Sequence, residues 1–376
     1  MAERFFDRVA GQKLPEAAHL PGENGFSDDP APAWLEEVAP ELLSMAHVLG
    51  VRTAEMHRRL ADADAPDLHP EESTAADADA LADRVRESLE RTRPMIEDAA
   101  ENMDLGEGAL PAEDGWQRAK DRLEALRERE LDGIKIRIHG DYHLGQVLRA
   151  DGEFYILDFE GEPARTVEER RRRDFPVRDV AGMMRSFDYA ARSELMAFRE
   201  REEAAEAASG GDLEDGSSSA GEAAAGDETA SSPASAATAS SQNDAPEDGS
   251  PSGADRDAEA AAAADEALDD WTEALVRWCQ LLFLDGYGDT VTGAADTDAA
   301  AADTSADGEG EETAPLLSDL DEHRLLLWAY LLDKALYEVR YELNHRPSWM
   351  GVPLRGLKRL LAEPADDGRP KKPVLL

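Results

Sequence analysis

Cysteine is nearly absent: Cys279 is the only one in 376 residues. Disulfides and a cysteine-based zinc site are therefore excluded. Lysine is scarce too, at seven of the 40 basic residues, and all basic charge is outnumbered by 83 acidic residues, for a net charge of −43. So large an excess excludes nucleic-acid binding driven by phosphate neutralisation and argues against anionic membrane surfaces. Long apolar runs are missing as well. No window holds about 18 uncharged apolar residues, so no membrane-spanning helix is expected. The opening MAERFFDRVAGQKLPEAAHL has no continuous apolar region, so no secretory signal is expected either. The expectation is a soluble, cytoplasmic protein.

What is present in quantity is acid, spread along the whole chain rather than gathered in a tail. Carboxylates hold water, and molar salt shrinks the Debye length to about 3 Å, which removes their mutual repulsion. With arginine preferred over lysine and abundant alanine, this composition fits a halophile with a very salty cytoplasm. Such a chain should lose helical circular dichroism on dialysis into low salt.

Two stretches are of low complexity. Residues 203–262 consist almost wholly of Ala, Ser, Gly, Asp, Glu and Pro, and residues 293–314 are the same in kind. Neither holds enough large apolar side chains to offset chain entropy, so both are expected to be disordered insertions. Residues 64–76 read as a shorter loop. The remainder is mostly helical. Apolar residues at helical spacing run from Trp34 to Met56, predicting a helix over 34–62. Helices are also predicted over 78–102, 115–130, 178–200, 264–285 and 319–345. Between them GIKIRIHG alternates strictly, with Ile134, Ile136 and Ile138 on one face, a half-buried strand. QVLRADGEFYILDF supplies two more β runs about Asp151-Gly152, a hairpin turn signal. The fold class predicted is α+β, mainly α-helical, with a small β-hairpin insert.

That insert carries the chemistry. In IHGDYHLGQVLRADGEFYILDFEGEP, Asp141 follows a strand and a His-Gly turn, and Asp158 ends the hairpin. Two carboxylates at strand ends suit proton abstraction or metal binding. The layout is that of a phosphotransferase catalytic lobe. There one carboxylate, here Asp141, orients or deprotonates the acceptor hydroxyl. An amide five residues on, here Gln146, and a second carboxylate, here Asp158, give oxygens to Mg²⁺. Plainer roles compete at several positions. His139 and His143 read as braces of the loop, not zinc ligands. Asp179, at a helix start, is either an N-cap or a carboxylate that bonds the backbone of the catalytic turn. Glu160 and Glu162 either tune the metal site or face solvent. His57 reads as packing, and the run Arg170 to Arg173 as local charge pairing.

HGDYHLGQVL with ILDFEGEPA and RDVAGMMRSFDYAA resembles bacterial maltokinase, of the aminoglycoside-phosphotransferase-like kinase superfamily. LGVRTAEMHRRL (49–60) and LLDKALYEVRYELNHRPSWMGVPLRG (331–356) are similar to flanking segments of that family. The resemblance covers the ordered parts from about residue 34 to 361. It implies a kinase-like C-terminal lobe that moves the ATP γ-phosphate to the anomeric hydroxyl of maltose, often coupled to trehalose synthase. It implies Asp141 as base, Gln146 and Asp158 as ligands of Mg²⁺·ATP, and a sugar-holding segment with Tyr337, Tyr341, Glu342, Asn344 and Arg346. His139, His143, Glu160 and Asp179 would support them.

The same resemblance implies a nucleotide lobe before Leu49. Only 48 residues precede it, with one lysine and no glycine-rich strand–turn–strand. The organisation expected is an N-terminal segment (1–33) and a lobe in three parts (34–202, 263–292 and 315–361). The insertions separate these parts, and a tail (362–376) follows. Such a lobe is a fragment, half of a split enzyme completed by a partner polypeptide, or a decayed remnant. Another small-molecule kinase of the superfamily and a non-catalytic binding lobe or partner of trehalose synthase are the competing functions.

Overall fold

The computed structural model describes residues 2–15, 31–63, 65, 68–103, 105, 108–129, 131, 133–163, 165–210, 253–291, 316 and 323–362. The fold is mainly helical, α+β, and most of its buried apolar side chains among the described residues form one core. In chain order the helices are α1 (Ala2–Val9), α2 (Ala33–Val38), α3 (Pro40–Ala61), α4 (Ala75–Asn102), α5 (Glu113–Arg127), α6 (Val167–Arg171), α7 (Val177–Gly210), α8 (Gly253–Val291), α9 (Arg324–His345) and α10 (Gly351–Ala362). The strands are β1 (Glu71–Glu72), β2 (Ile134–Lys135), β3 (Val147–Ala150) and β4 (Glu153–Ile156). No helix among the described residues is long and apolar enough to cross a membrane.

Several boundaries differ from the sequence expectation, each for a local reason. The helix predicted over 34–62 is broken at Ala39, at φ −135° and ψ 33°, because a residue before proline is pushed out of the helical region and Pro40 opens the next helix. The loop predicted over 64–76 contains β1, and α4 begins inside it at Ala75, fixed by a capping box between Thr74 and Asp77. The strand predicted in GIKIRIHG is short: Glu71 pairs with Lys135 and Glu72 with Ile134, and Ile136 then bridges Asp174. Its inward face is as predicted, with Ile136 and Ile138 buried.

The disorder expected over 203–262 is corrected at both ends. Helix α7 continues to Gly210 and α8 starts at Gly253, since REREEAAEAA and ADRDAEAAAAADE are strong helix formers despite their low complexity. The rest of that stretch, all of 293–314 and nearly all of the tail lie outside the described residues.

Helix α3 packs along α8, and α9 along α4 and α7. Phe5, Phe6 and Val9 of α1 are fully buried. The hairpin predicted about Asp151-Gly152 is β3–β4, with Leu148 opposite Tyr155. Asp151 and Gly152 both have positive φ, 54° and 86°, the two-residue turn whose twist suits an antiparallel pair.

Candidate active site

The turn that carries Asp141 is held from behind. Ile138 is buried as the strand ends, and Gly140 takes φ +85°, a conformation that favours glycine. The next two amides point at one buried carboxylate. Asp179 Oδ2 accepts from His139 N at 2.7 Å and its Oδ1 from Gly140 N at 2.9 Å. Asp179 lies in the first turn of α7 but spends both oxygens on the turn opposite. Its Oδ2 also meets His57 Nε2 of α3 at 3.2 Å, and His57 Nδ1 meets the Tyr287 hydroxyl of α8 at 3.0 Å. Burial alone would raise the Asp179 pKa; the His57 bond and the Gly140 amide outweigh it and hold the carboxyl below its ordinary 3.8.

A second brace starts at Tyr142, whose hydroxyl shares a hydrogen bond of 2.9 Å with Thr53. Helix α7 presses close to this turn: a Cβ on Gly182 would lie 2.6 Å from the Tyr142 carbonyl oxygen. His139 links the two carboxylate loops. Its Nε2 bonds the Leu157 carbonyl at 2.7 Å, while Nδ1 accepts weakly from Asp141 N at 3.4 Å. His143 accepts from Gly145 N at 3.0 Å. Burial lowers the His143 pKa, and nearby Asp141 opposes the shift.

Asp158 has φ +59°, in the left-handed region that is uncommon outside glycine and recurs at functional turns. Its Oδ2 accepts from Gln146 Nε2 at 3.3 Å, and Leu157 N donates to the Gln146 carbonyl at 2.9 Å. The amide and the carboxylate predicted as metal ligands therefore stand side by side on the hairpin. Among the described residues no three His, Cys, Asp or Glu side chains are grouped to hold a metal ion. One carboxylate and one amide oxygen are the sparse protein set that suits Mg²⁺ shared with phosphate oxygens. Around them Leu148, Tyr155, Leu157 and Phe159 are 42–52% exposed, an apolar surface on a very acidic chain.

Asp141 opens into a cleft of about 240 Å³, lined by the turn, by α4 and by α9. Lys334 Nζ stands 3.8 Å from Asp141 Oδ1 and 5.1 Å from the centre of the Tyr337 ring. Burial, with the charges of Glu162 and Asp141 beyond it, raises the Tyr337 pKa. Of the predicted sugar-holding residues, only Tyr337 lines this cleft. Tyr341, one turn beyond Tyr337 on the same helical face, is exposed outside the cleft, stacked on Tyr337 at 6.2 Å and on His345 at 4.4 Å. Glu342 is buried, accepting from the Tyr189 hydroxyl at 2.8 Å and from Arg346 Nη2 at 2.7 Å. Asn344 bonds the Arg340 carbonyl at 2.7 Å. Glu162 lines the cleft, tied to Arg165 at 2.8 Å, whereas Glu160 is exposed. In the arginine run, Arg173 pairs with Glu71 and Arg172 with Glu168.

Sequence reasoning missed Arg84, Ser88, Asp333, Lys334 and Arg340 of the cleft. The spacing of Asp333, Tyr337 and Arg340 on one helical face was the available signal; the facing helix was not.

No family model matches the chain. It is 35% identical over 162 residues to a glucosamine kinase of Streptacidiphilus jiangxiensis, covering 40% of this chain and 32% of that protein. It is 30% identical over 155 residues to a glucosamine kinase of Mycolicibacterium smegmatis, covering 40% of this chain and 34% of that one. The chain thus spans about a third of the length of the curated relatives it matches. Among solved structures, a glucosamine kinase in complex with glucosamine, ADP and inorganic phosphate is 22% identical at a TM-score of 0.47, covering 85% of this chain and 55% of that one. A second crystal form of a glucosamine kinase gives a TM-score of 0.46 at 23% identity, covering 85% of this chain and 53% of the other.

Proposed function

We propose that this chain is the acceptor-holding lobe of an ATP-dependent sugar phosphotransferase. The observation that carries the reading is the pairing of two carboxylate loops. Asp141 is fixed at the mouth of a cleft by two amide bonds to Asp179, and Asp158 stands beside Gln146 one hairpin away. The similarity to glucosamine kinases supports the class of reaction. In this reading the acceptor hydroxyl hydrogen-bonds to Asp141 and gives it its proton as its oxygen attacks the γ-phosphorus. The bond from that phosphorus to the bridging oxygen breaks, and ADP leaves.

Gln146 and Asp158 would hold Mg²⁺, which when bound offsets charge on the phosphates. Leu148 and Tyr155, cross-strand neighbours that are both about half exposed, offer an apolar face to the nucleotide or to a second lobe. That lobe belongs to the same polypeptide or to a partner. The acidic surface is read as adapted to molar salt, so assays belong in molar KCl.

The test is transfer from ATP·Mg²⁺ to maltose, which the motif resemblance implies, and to glucosamine, on which the named relatives act. Asp141→Asn is run beside the unaltered chain, with any nucleotide lobe found to accompany it added. Transfer that disappears in the variant supports the reading. Transfer at full rate in Asp141→Asn would overturn the assignment of the base. Sugar binding without transfer would leave a non-catalytic binding lobe.

A further inference from the structure

Two helices close one end of the Asp141 cleft with more positive charge than their neighbours neutralise. From α4 come Arg84, Ser88 and Arg91, three and four residues apart and so on one helical face. From α9 comes Arg340, six residues after Lys334, or about 9 Å further along the helix axis. Arg340 Nη1 donates to the Ser88 and Thr92 hydroxyls at 2.7 and 2.6 Å. No carboxylate pairs with it among the described residues, and its Nε and Nη2 make no hydrogen bond there. Burial first, and then the charge of Arg91, lowers the Arg340 pKa from its ordinary value, and the more distant charge of Asp333 opposes the shift without cancelling it.

Arg91 makes no ion pair or hydrogen bond among the described residues. Arg84 gives its Nε to Asp333 at 3.1 Å, but its Nη2 is buried without a partner. The carboxylates lining the cleft are mostly engaged: Asp333 by Arg84, Glu162 by Arg165 and Arg178, Asp141 near Lys334. Glu87 is left, exposed on the turn before Arg91. Of these donors Arg84 Nη2 is buried without an acceptor, which is costly. The guanidinium fork matches the paired oxygens of a carboxylate or phosphate.

We propose that the α4–α9 end of the cleft, through Arg340, Arg91, Arg84 and Ser88, binds an anionic group of the acceptor. The substrate is then a sugar acid or sugar phosphate whose free hydroxyl reaches Asp141. The hydroxyl at Asp141 rests on the phosphotransferase reading; the anion site stands without it. Neither maltose nor glucosamine offers these arginines a partner, so the proposal narrows the acceptor class away from both.

The test is calorimetric titration of the full chain, at one ionic strength and without nucleotide, with glucose, glucuronate and glucose 6-phosphate. At least one anion should bind ten-fold or more tighter than glucose, and the tighter of the two tells carboxylate from phosphate. Arg340→Gln and Arg91→Gln should each reduce that advantage with glucose affinity unchanged, while Asp141→Asn keeps it. Arg91 is exposed, so its variant reports even if loss of the Arg340 bonds to α4 loosens the fold. Glucose binding as tightly as both anions, or an advantage untouched in both arginine variants, overturns the proposal. Selective anion binding with no transfer on adding ATP·Mg²⁺ and any nucleotide lobe would sink the phosphotransferase reading and leave the anion site standing. Transfer to neutral sugars with no anion preference does the reverse.

Discussion

The two carboxylates of the candidate site live in opposite surroundings. Asp141 sits on a turn whose preceding amides are bonded to a fully buried Asp179, itself bonded to His57 and through it to Tyr287. Three helices, α3, α7 and α8, converge on that one turn. Asp158 is exposed on a hairpin of two four-residue strands, in a left-handed conformation, with one hydrogen bond of 3.3 Å from Gln146. The difference teaches where precision is built in. The carboxylate proposed as proton acceptor is positioned by the fold itself. The candidate metal ligands stand exposed, with few bonds to hold them.

The comparison can be broken most directly at Asp141. Asp141→Asn is expected to cut phosphoryl transfer by about 10²–10⁴-fold while leaving the denaturation midpoint in place, because among the described residues the Asp141 carboxylate has no partner beyond Lys334 at 3.8 Å. A collapse in stability with that variant would mean the side chain holds the fold. Asp179→Ala should do the opposite. It strands two backbone amides and His57, and breaking a buried network of this kind costs about 3–5 kcal/mol, read as a lower midpoint in urea.

The same carboxylate sets an acid limb. Its folded pKa is held below 3.8, so its contribution is complete above that pH and is lost as pH falls through the depressed value. In Asp179→Asn the fall in stability below pH 3.8 should be shallower than in the unaltered chain. An identical acid limb would remove Asp179 from the account.

A smaller effect is expected where α7 approaches the Asp141 turn. A Cβ at Gly182 would press on the Tyr142 carbonyl at 2.6 Å. Gly182→Ala should therefore cost about 1–3 kcal/mol by overpacking and slow transfer as the turn shifts; unchanged stability would show that the helix gives way freely. The smallest effect belongs to the hairpin. Tyr155→Ser, at a half-exposed position, should change stability by less than about 0.5 kcal/mol. It should still weaken nucleotide binding, measured by titration with ATP·Mg²⁺. If it destabilised the chain as much as Gly182→Ala, the contrast between the two regions would fail.

Much of this was legible in residue order. The hairpin follows from Asp151-Gly152 between β runs, and the two carboxylates from their places at the ends of those runs. The Asp179 role was open between a helix cap and a bond to the catalytic turn, since a carboxylate in the first turn of a helix serves either. Only the position of the 138–141 segment beside α7 shows both oxygens on His139 and Gly140. The segment 341–346 lies outside the Asp141 cleft for a related reason. Tyr, Glu, Asn and Arg are suitable sugar-binding types, but helical periodicity turns Glu342 inward to Tyr189 and leaves Asn344 on its own helix. Residue type says what a side chain can bind; the phase of the helix says what it meets.

The sequence by itself determined the helical class, the hairpin, the acidic surface and the pair of carboxylate-bearing loops. Each of these depends on local pattern, on turn chemistry or on composition. Tertiary structure alone decided the shape and charge of the cleft. Arg84 and Ser88 lie about 250 residues from Asp333 and Arg340, and nothing in the local pattern of either helix specifies its partner. Burial did the rest: it set Asp179 apart from the exposed acids by leaving it to be satisfied wholly by amides and a histidine.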